Sequence, residues 1–219
     1  YAEVQAPPNC IWTKMIKPAL TWLRCFFNEE GTGPLRRKFY IKAHYNQGIK
    51  IVITTDASPW GMGGYITVDG VIIAYFLCPI TRADQNFLQT KAGDSKGQQV
   101  WECLATLIAM RLWRNIWHDN RFRLSVRADN ITTLTLLRKL RVKGHALIRI
   151  AQEMALDIAK STFEPDMVTH TPGIQNVIPD ILSRAFDPHS DYPLPPALHG
   201  IERHYPPQRD LQWWRSLAM

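Results

Sequence analysis

The 219-residue sequence predicts an α/β fold: a mixed five-stranded sheet, three antiparallel strands and then two parallel ones, flanked by helices. Three observations predict it. Three β-rich runs follow one another closely from residue 49, and Asp69-Gly70 between the second and third is the signature of a two-residue hairpin. The segment Gln98–Trp117 then repeats apolar residues at spacings of three and four. After it, strand-like and helix-like patterns alternate, which implies parallel strands joined across helices.

Residues 1–48 read as a separate leader. Ile11, Met15, Leu20, Leu23, Phe26 and Phe27 form an apolar helical pattern that breaks at Pro18, and Gly31, Gly33 and Pro34 mark a loop. Ile49–Thr55, rich in β-branched residues, reads as the first strand. Gly61-Met62-Gly63-Gly64 reads as a flexible bend, and Tyr65–Val68 with Val71–Phe76 as the hairpin. Thr81–Gly97 is a long polar loop. In the helix that follows, Trp101, Leu104, Ala105, Ile108 and Leu112 share a face.

Phe122, Leu124, Val126 and Ala128 alternate with Arg123, Ser125 and Arg127, a fourth strand. Asn130–Leu140 and Ala146–Lys160 read as helices, Pro165–His170 as a short strand, and Asn176–Arg184 as a last helix that tolerates Pro179 in its first turn. The order β-β-β-α-β-α-α-β-α fills a domain at 49–186. Residues 187–219, rich in proline and aromatic residues, read as an irregular tail.

Composition narrows the function. Lys and Arg total 26 against 19 Asp and Glu, a net charge of +7, which suggests a polyanionic partner. Eight basic residues lie between Lys14 and Lys50 against Glu29 and Glu30, and five (Arg138, Lys139, Arg141, Lys143, Arg149) lie together with no acid among them. Each run alone reads equally well as a solvated face. The four cysteines form no C-x-x-C pair, which argues against zinc or a disulfide framework; Cys103 reads as a buried small residue and a reducing compartment fits. No stretch approaches a membrane span and no signal peptide is present. Tyr1 in place of Met suggests a piece of a longer polypeptide or a processed product.

Four acids stand where structure alone does not ask for them. Asp56 ends the first strand, Glu102 interrupts the apolar run Val100–Leu104, Asp129 ends the fourth strand and Asp180 opens the last helix. Singly, each has an ordinary reading: a turn residue before Ser58-Pro59, a wet helix face, an N-cap, a complement to a helix dipole. Jointly, they point to the crevice that open α/β sheets form at the carboxyl ends of their strands. Carboxylates crowded there repel one another, and divalent cations relieve that. Oxygen ligands suit Mg2+, and two ions about 4 Å apart can activate water against a phosphodiester.

Thr55-Asp56-Ala57-Ser58, the helix-borne Glu102, Ala128-Asp129-Asn130 and the run from His170-Thr-Pro-Gly through Asn176 to Asp180-Ile-Leu-Ser-Arg184 together resemble the ribonuclease H domain of retroelement reverse transcriptases, of the gypsy-like kind. The resemblance covers roughly residues 49–186. It implies that Asp56, Glu102, Asp129 and Asp180 bind two Mg2+ ions, with Mn2+ as a substitute, and that His170 assists proton transfer or product release. It implies an RNA–DNA hybrid as substrate, contacted by Asn130 and the run Arg138, Lys139, Arg141 and Lys143, and by Asn176 unless that residue holds the loop instead. It also implies a polymerase part on the same polypeptide, an intracellular setting, no membrane, and a leader that resembles the linker after the polymerase. Trp60 would shape the mouth of the site or simply pack. Two departures stand out: no separate basic handle helix, and a long Thr81–Gly97 loop.

Three other readings compete. A non-catalytic scaffold of the same fold should lack some of the acids, yet all four are present. A DNA strand-transfer enzyme of related fold usually ends its acid set in a helical Glu, where this chain has Asp180. A domesticated module kept only for binding leaves no mark in the sequence.

Overall fold

The computed structural model describes residues 7–10, 13–27, 45, 49–117, 123–128, 131–140, 142–159, 168–170, 176–189 and 191–217. Helix α1 is Thr13–Phe27. The sheet then opens with β1 (Lys50–Ala57), β2 (Gly61–Val68) and β3 (Val71–Pro79). Helices α2 (Arg82–Leu88), α3 (Gln98–Leu112) and α4 (Arg114–Trp117) follow. Next come β4 (Arg123–Ala128), α5 (Ile131–Lys139), α6 (His145–Ala159), β5 (Val168–His170) and α7 (Val177–Arg184). A two-residue strand, β6 (Glu202–Arg203), closes the series. No helix among the described residues is long and apolar enough to cross a membrane.

The sheet order is β5-β4-β1-β2-β3-β6. Strands β1, β2 and β3 are antiparallel neighbours, while β4 and β5 run parallel to β1. This is the expected ribonuclease H-like mixed sheet of three antiparallel and two parallel strands. It carries one addition: β6, from the segment expected to be irregular, pairs in parallel with β3 at Ala74 and Tyr75. Two residues are too few to leave a periodic trace in sequence.

The hairpin forms because Asp69 and Gly70 both take positive φ, 49° and 85°, the backbone that a type I′ turn requires. Asp69 also ties the turn to β1, its carboxylate accepting the Lys50 amide at 2.8 Å. Gly61–Gly64, expected as a bend, is instead the buried start of β2. The reason lies across the sheet face: a Cβ on Gly63 would come within 2.8 Å of the Leu182 backbone. The glycines admit α7 close against the sheet instead of loosening the chain.

The main core lies between α3 and the other sheet face, where Trp101, Leu104, Leu107 and Ile108 pack on Ile51, Ile53, Ile66 and Phe76. Each such side chain contributes roughly 1.5–3 kcal/mol on burial. Cys103 sits in this core as expected, its thiol pushed by burial up to about 12. The long helix ends earlier than periodicity suggests. Trp113 is fully buried and donates its indole N–H to His204 Nδ1 at 3.2 Å, and α4 starts beyond it. The loop Thr81–Gly97 contains α2, opened by a capping box in which Thr81 and Asp84 exchange hydrogen bonds.

The two ends of the chain close over the α3–α6 side. Helix α1 runs unbroken through Pro18, held by the Trp22 indole donating to the Gln152 carbonyl at 3.0 Å and by buried Cys25. Arg209 forks onto Asp84 at 2.8 and 2.7 Å. Arg111 binds Glu153 and Asp157, each at 2.6 Å, and donates to the Trp213 carbonyl at 2.7 Å. Glu153 in turn accepts the backbone N–H groups of Arg215 and Ser216.

Candidate functional site

Strands β1, β4 and β5 run the same way, so their carboxyl ends share one edge of the sheet. Ala128 pairs with His170 there. The last described pair between β1 and β4 is Thr54 with Arg127, whereas β1 stays paired with β2 as far as Ala57 and Met62. Asp56 lies two residues beyond the last of those described pairs, toward the carboxyl end of β1. In open α/β sheets ligands bind outside the carboxyl ends of the strands.

Side chains alternate along β1. Thr55 turns to the α3 face and Asp56 to the α7 face. Asp56 is 8 % exposed, and its Oδ2 accepts the Ser183 hydroxyl at 3.3 Å. The same hydroxyl donates to the Asp180 carbonyl at 2.9 Å. Ser183 is fully buried, and its own carbonyl takes the Ser58 hydroxyl at 2.7 Å. Ser58 Oγ accepts the Trp60 and Gly61 amides, both at 3.1 Å. These bonds pin α7 to the β1–β2 turn and hold the Asp56 carboxylate in place.

Glu102 lies on α3 and is 7 % exposed. Two bridges set its height along β1. The Gln98 side chain donates to the Ala57 carbonyl, and the Thr106 and Thr55 hydroxyls meet at 2.9 Å. Glu102, midway between Gln98 and Thr106 on that helix face, is thereby aligned with the Asp56 level.

Asp180 sits on α7 one turn before Arg184. Its carboxylate accepts Arg184 Nε at 2.7 Å, and both side chains are two-fifths exposed, at 41 % and 43 %. The bond to Asp180 holds the Arg184 guanidinium above its ordinary pKa. Asp129 and Asn130, which follow β4 in the chain, lie outside the described residues, as does Arg141. For His170 the backbone position at the shared edge is described, and for Arg138 its place on α5. Lys139 and Lys143 are exposed.

Asn176, expected to hold its loop or to contact nucleic acid, is 1 % exposed, and its amide donates to the Thr55 carbonyl at 3.5 Å. It stands at the N-cap position of α7 with no side-chain cap bond and ties that helix to the strand bearing Asp56. Trp60 packs over Gly93 and meets the His189 ring edge-on, centroids 6.3 Å apart. Sequence reasoning missed Ser183 and Ser58. The Ser183-Arg184 pair at the end of the α7 motif was in view, but a lone serine carries no signal of its partner 127 residues away.

Carboxylate oxygens are the hard donors that Mg2+ accepts, one or two from protein with water completing its shell. Asp56 and Glu102 fit that chemistry. Among the described residues, however, no group of three or more His, Cys, Asp or Glu side chains could hold a metal ion, and Asp180 is engaged by Arg184. No protein-family model matches the chain, and no curated protein matches it either.

Proposed function

We propose that this chain is the ribonuclease H domain of a retroelement reverse transcriptase, a metal-dependent endonuclease that hydrolyses the RNA strand of RNA–DNA hybrids. One observation carries the reading: two carboxylates, Asp56 and Glu102, are buried together at the carboxyl-end edge of β1. The mixed sheet, the joint order of the acid motifs and the net charge of +7 agree with it.

Asp56 and Glu102 would hold Mg2+ or Mn2+, together with Asp129 and with Asp180 once Arg184 releases it. When bound, such ions lower the pKa of water and neutralise charge on the phosphodiester. The chain's own groups do the rest. Ser183 orients the Asp56 carboxylate, and the Gln98 and Thr106 bridges keep Glu102 at the same level. His170, ending β5 at this edge, would hand a proton to the departing 3′ oxygen, leaving 3′-hydroxyl and 5′-phosphate ends. Exposed Lys139 and Lys143 would meet phosphates without reading sequence, and 2′-hydroxyl contacts would select RNA. A polymerase part on the same polypeptide and an intracellular setting belong to this proposal.

The Asp180–Arg184 pair favours a second reading, a scaffold or binding module of the same fold in which that carboxylate is structural. One experiment separates the two. A labelled RNA–DNA hybrid is incubated with Mg2+ and the wild-type chain, Asp56→Asn or Glu102→Gln. The nuclease reading expects cleavage by wild type and a loss on the order of 100-fold or more in each variant. Binding by wild type without cleavage supports the second reading, and cleavage that survives both substitutions sinks the first.

A further inference from the structure

Two cavities open beside α2, and neither belongs to the carboxylate edge. The outer one, about 610 Å³, is lined by Arg82, Gln85, Asn86 and Lys91. The inner one, about 330 Å³, is lined by Lys96, Gln99, Lys143 and His145. Gln89 and Thr90 line both, so the two form one continuous groove. Arg82, Gln85 and Asn86 fall at i, i+3 and i+4, a single stripe of α2, and Gln89 follows as its left-handed C-cap. That stripe is wholly polar, whereas Leu88 of the same helix is buried.

The chemistry of the lining is one-sided. Among the described residues, no Asp or Glu lines either cavity, while four Lys and Arg do. The acid of α2, Asp84, points away and is taken up by Arg209. Among the described residues no Phe, Tyr or Trp lines the groove, and His145 supplies its one ring. Side-chain amides and cations suit a phosphodiester backbone contacted through its phosphates. The groove also leads toward the edge. Gln99 lines its inner end, and the adjacent Gln98 is bonded to Ala57, next to Asp56.

We infer that the α2 groove, from Arg82 and Lys91 inward to Lys96 and Lys143, is a docking track for a nucleic-acid backbone extending beyond the candidate site. The inference rests on the nucleic-acid part of the reading above, and it does not need the chain to cleave. It gives the Thr81–Gly97 segment a role: the segment carries Arg82, Lys91 and Lys96 and so lengthens the contact along the duplex.

The test measures binding of a fluorescent RNA–DNA hybrid by the full chain in EDTA, so that cleavage plays no part, between about 50 and 200 mM salt. The double variant Arg82→Gln/Lys91→Gln is compared with Lys17→Gln/Arg24→Gln, which removes the same charge from exposed positions on α1. The groove variant should lower the slope of log K against log salt by about 2, near 0.9 per lost phosphate contact. The α1 variant should leave the slope unchanged. An unchanged slope in the groove variant overturns the inference, and so does an equal fall in both variants. A chain that never cleaves the hybrid but shows the groove-specific fall keeps this inference and loses the nuclease reading.

Discussion

Asp84, Glu153 and Asp157 under the C-terminal segment are buried, and so, a little less completely, are Asp56 and Glu102 at the sheet edge. Their surroundings differ. Asp84 is forked by Arg209 and accepts the Thr81 amide at 2.8 Å. Glu153 and Asp157 share Arg111, and Arg215 Nη1 also reaches Asp157 at 3.1 Å. These carboxylates are consumed by structure, and each fastens a distant stretch of chain to the domain. At the edge, Asp56 accepts the Ser183 hydroxyl from α7, in the region proposed to take Mg2+. Burial alone therefore does not mark a functional acid. The two regions are to be told apart by whether Mg2+ stabilises the chain through them.

The comparison can be broken first where it predicts the largest loss. Arg209→Ala leaves Asp84 buried without its cation, and removing one member of a buried pair costs about 3–5 kcal/mol. Urea unfolding should show that loss; a change near zero would mean that the C-terminal segment is not anchored by this pair. Gly63→Ala comes next. The added methyl meets the Leu182 backbone, and overpacking of this kind costs roughly 1–3 kcal/mol. Because α7 carries both Ser183 and Asp180, the same variant should also weaken Mg2+ binding at the edge, read by calorimetry. Ser183→Ala is the mildest. It removes one donor to Asp56 and should cost about 1 kcal/mol of stability, again with weaker Mg2+ binding. Ser58→Ala, which loosens the turn without touching Asp56, should change Mg2+ binding less.

The same contrast explains what could be read from the sequence. The hairpin at Asp69-Gly70, the alternation through β4 and the apolar face of α3 are local patterns, and local patterns are legible. The four acids were legible as types in an order. Gly61–Gly64 misled because glycine marks both a bend and a close approach, and only the presence of Leu182 opposite distinguishes them. Pro18 misled because the packing of Trp22 and Cys25 outweighs the one hydrogen bond that proline removes. Helix α2 was signalled by Thr81 and Asp84, a capping pair that a polar stretch concealed. The partners of Ser183, Arg209 and Ser216 lie 63 to 127 residues away, and no window along the chain contains both ends of such a contact.

The most direct measurement is thermal unfolding of wild type, Asp56→Asn and Asp84→Asn, each with and without Mg2+. Asn at position 56 still accepts the Ser183 hydroxyl, so Asp56→Asn should cost at most ~1 kcal/mol while abolishing the stabilisation that Mg2+ gives wild type. That stabilisation is about 2.7 kcal/mol when the ion stands at 100 times its dissociation constant. Asp84→Asn should cost roughly 3–5 kcal/mol and keep the Mg2+ effect. Equal destabilisation by the two substitutions, or a Mg2+ effect that survives Asp56→Asn, would contradict the division between structural and functional carboxylates.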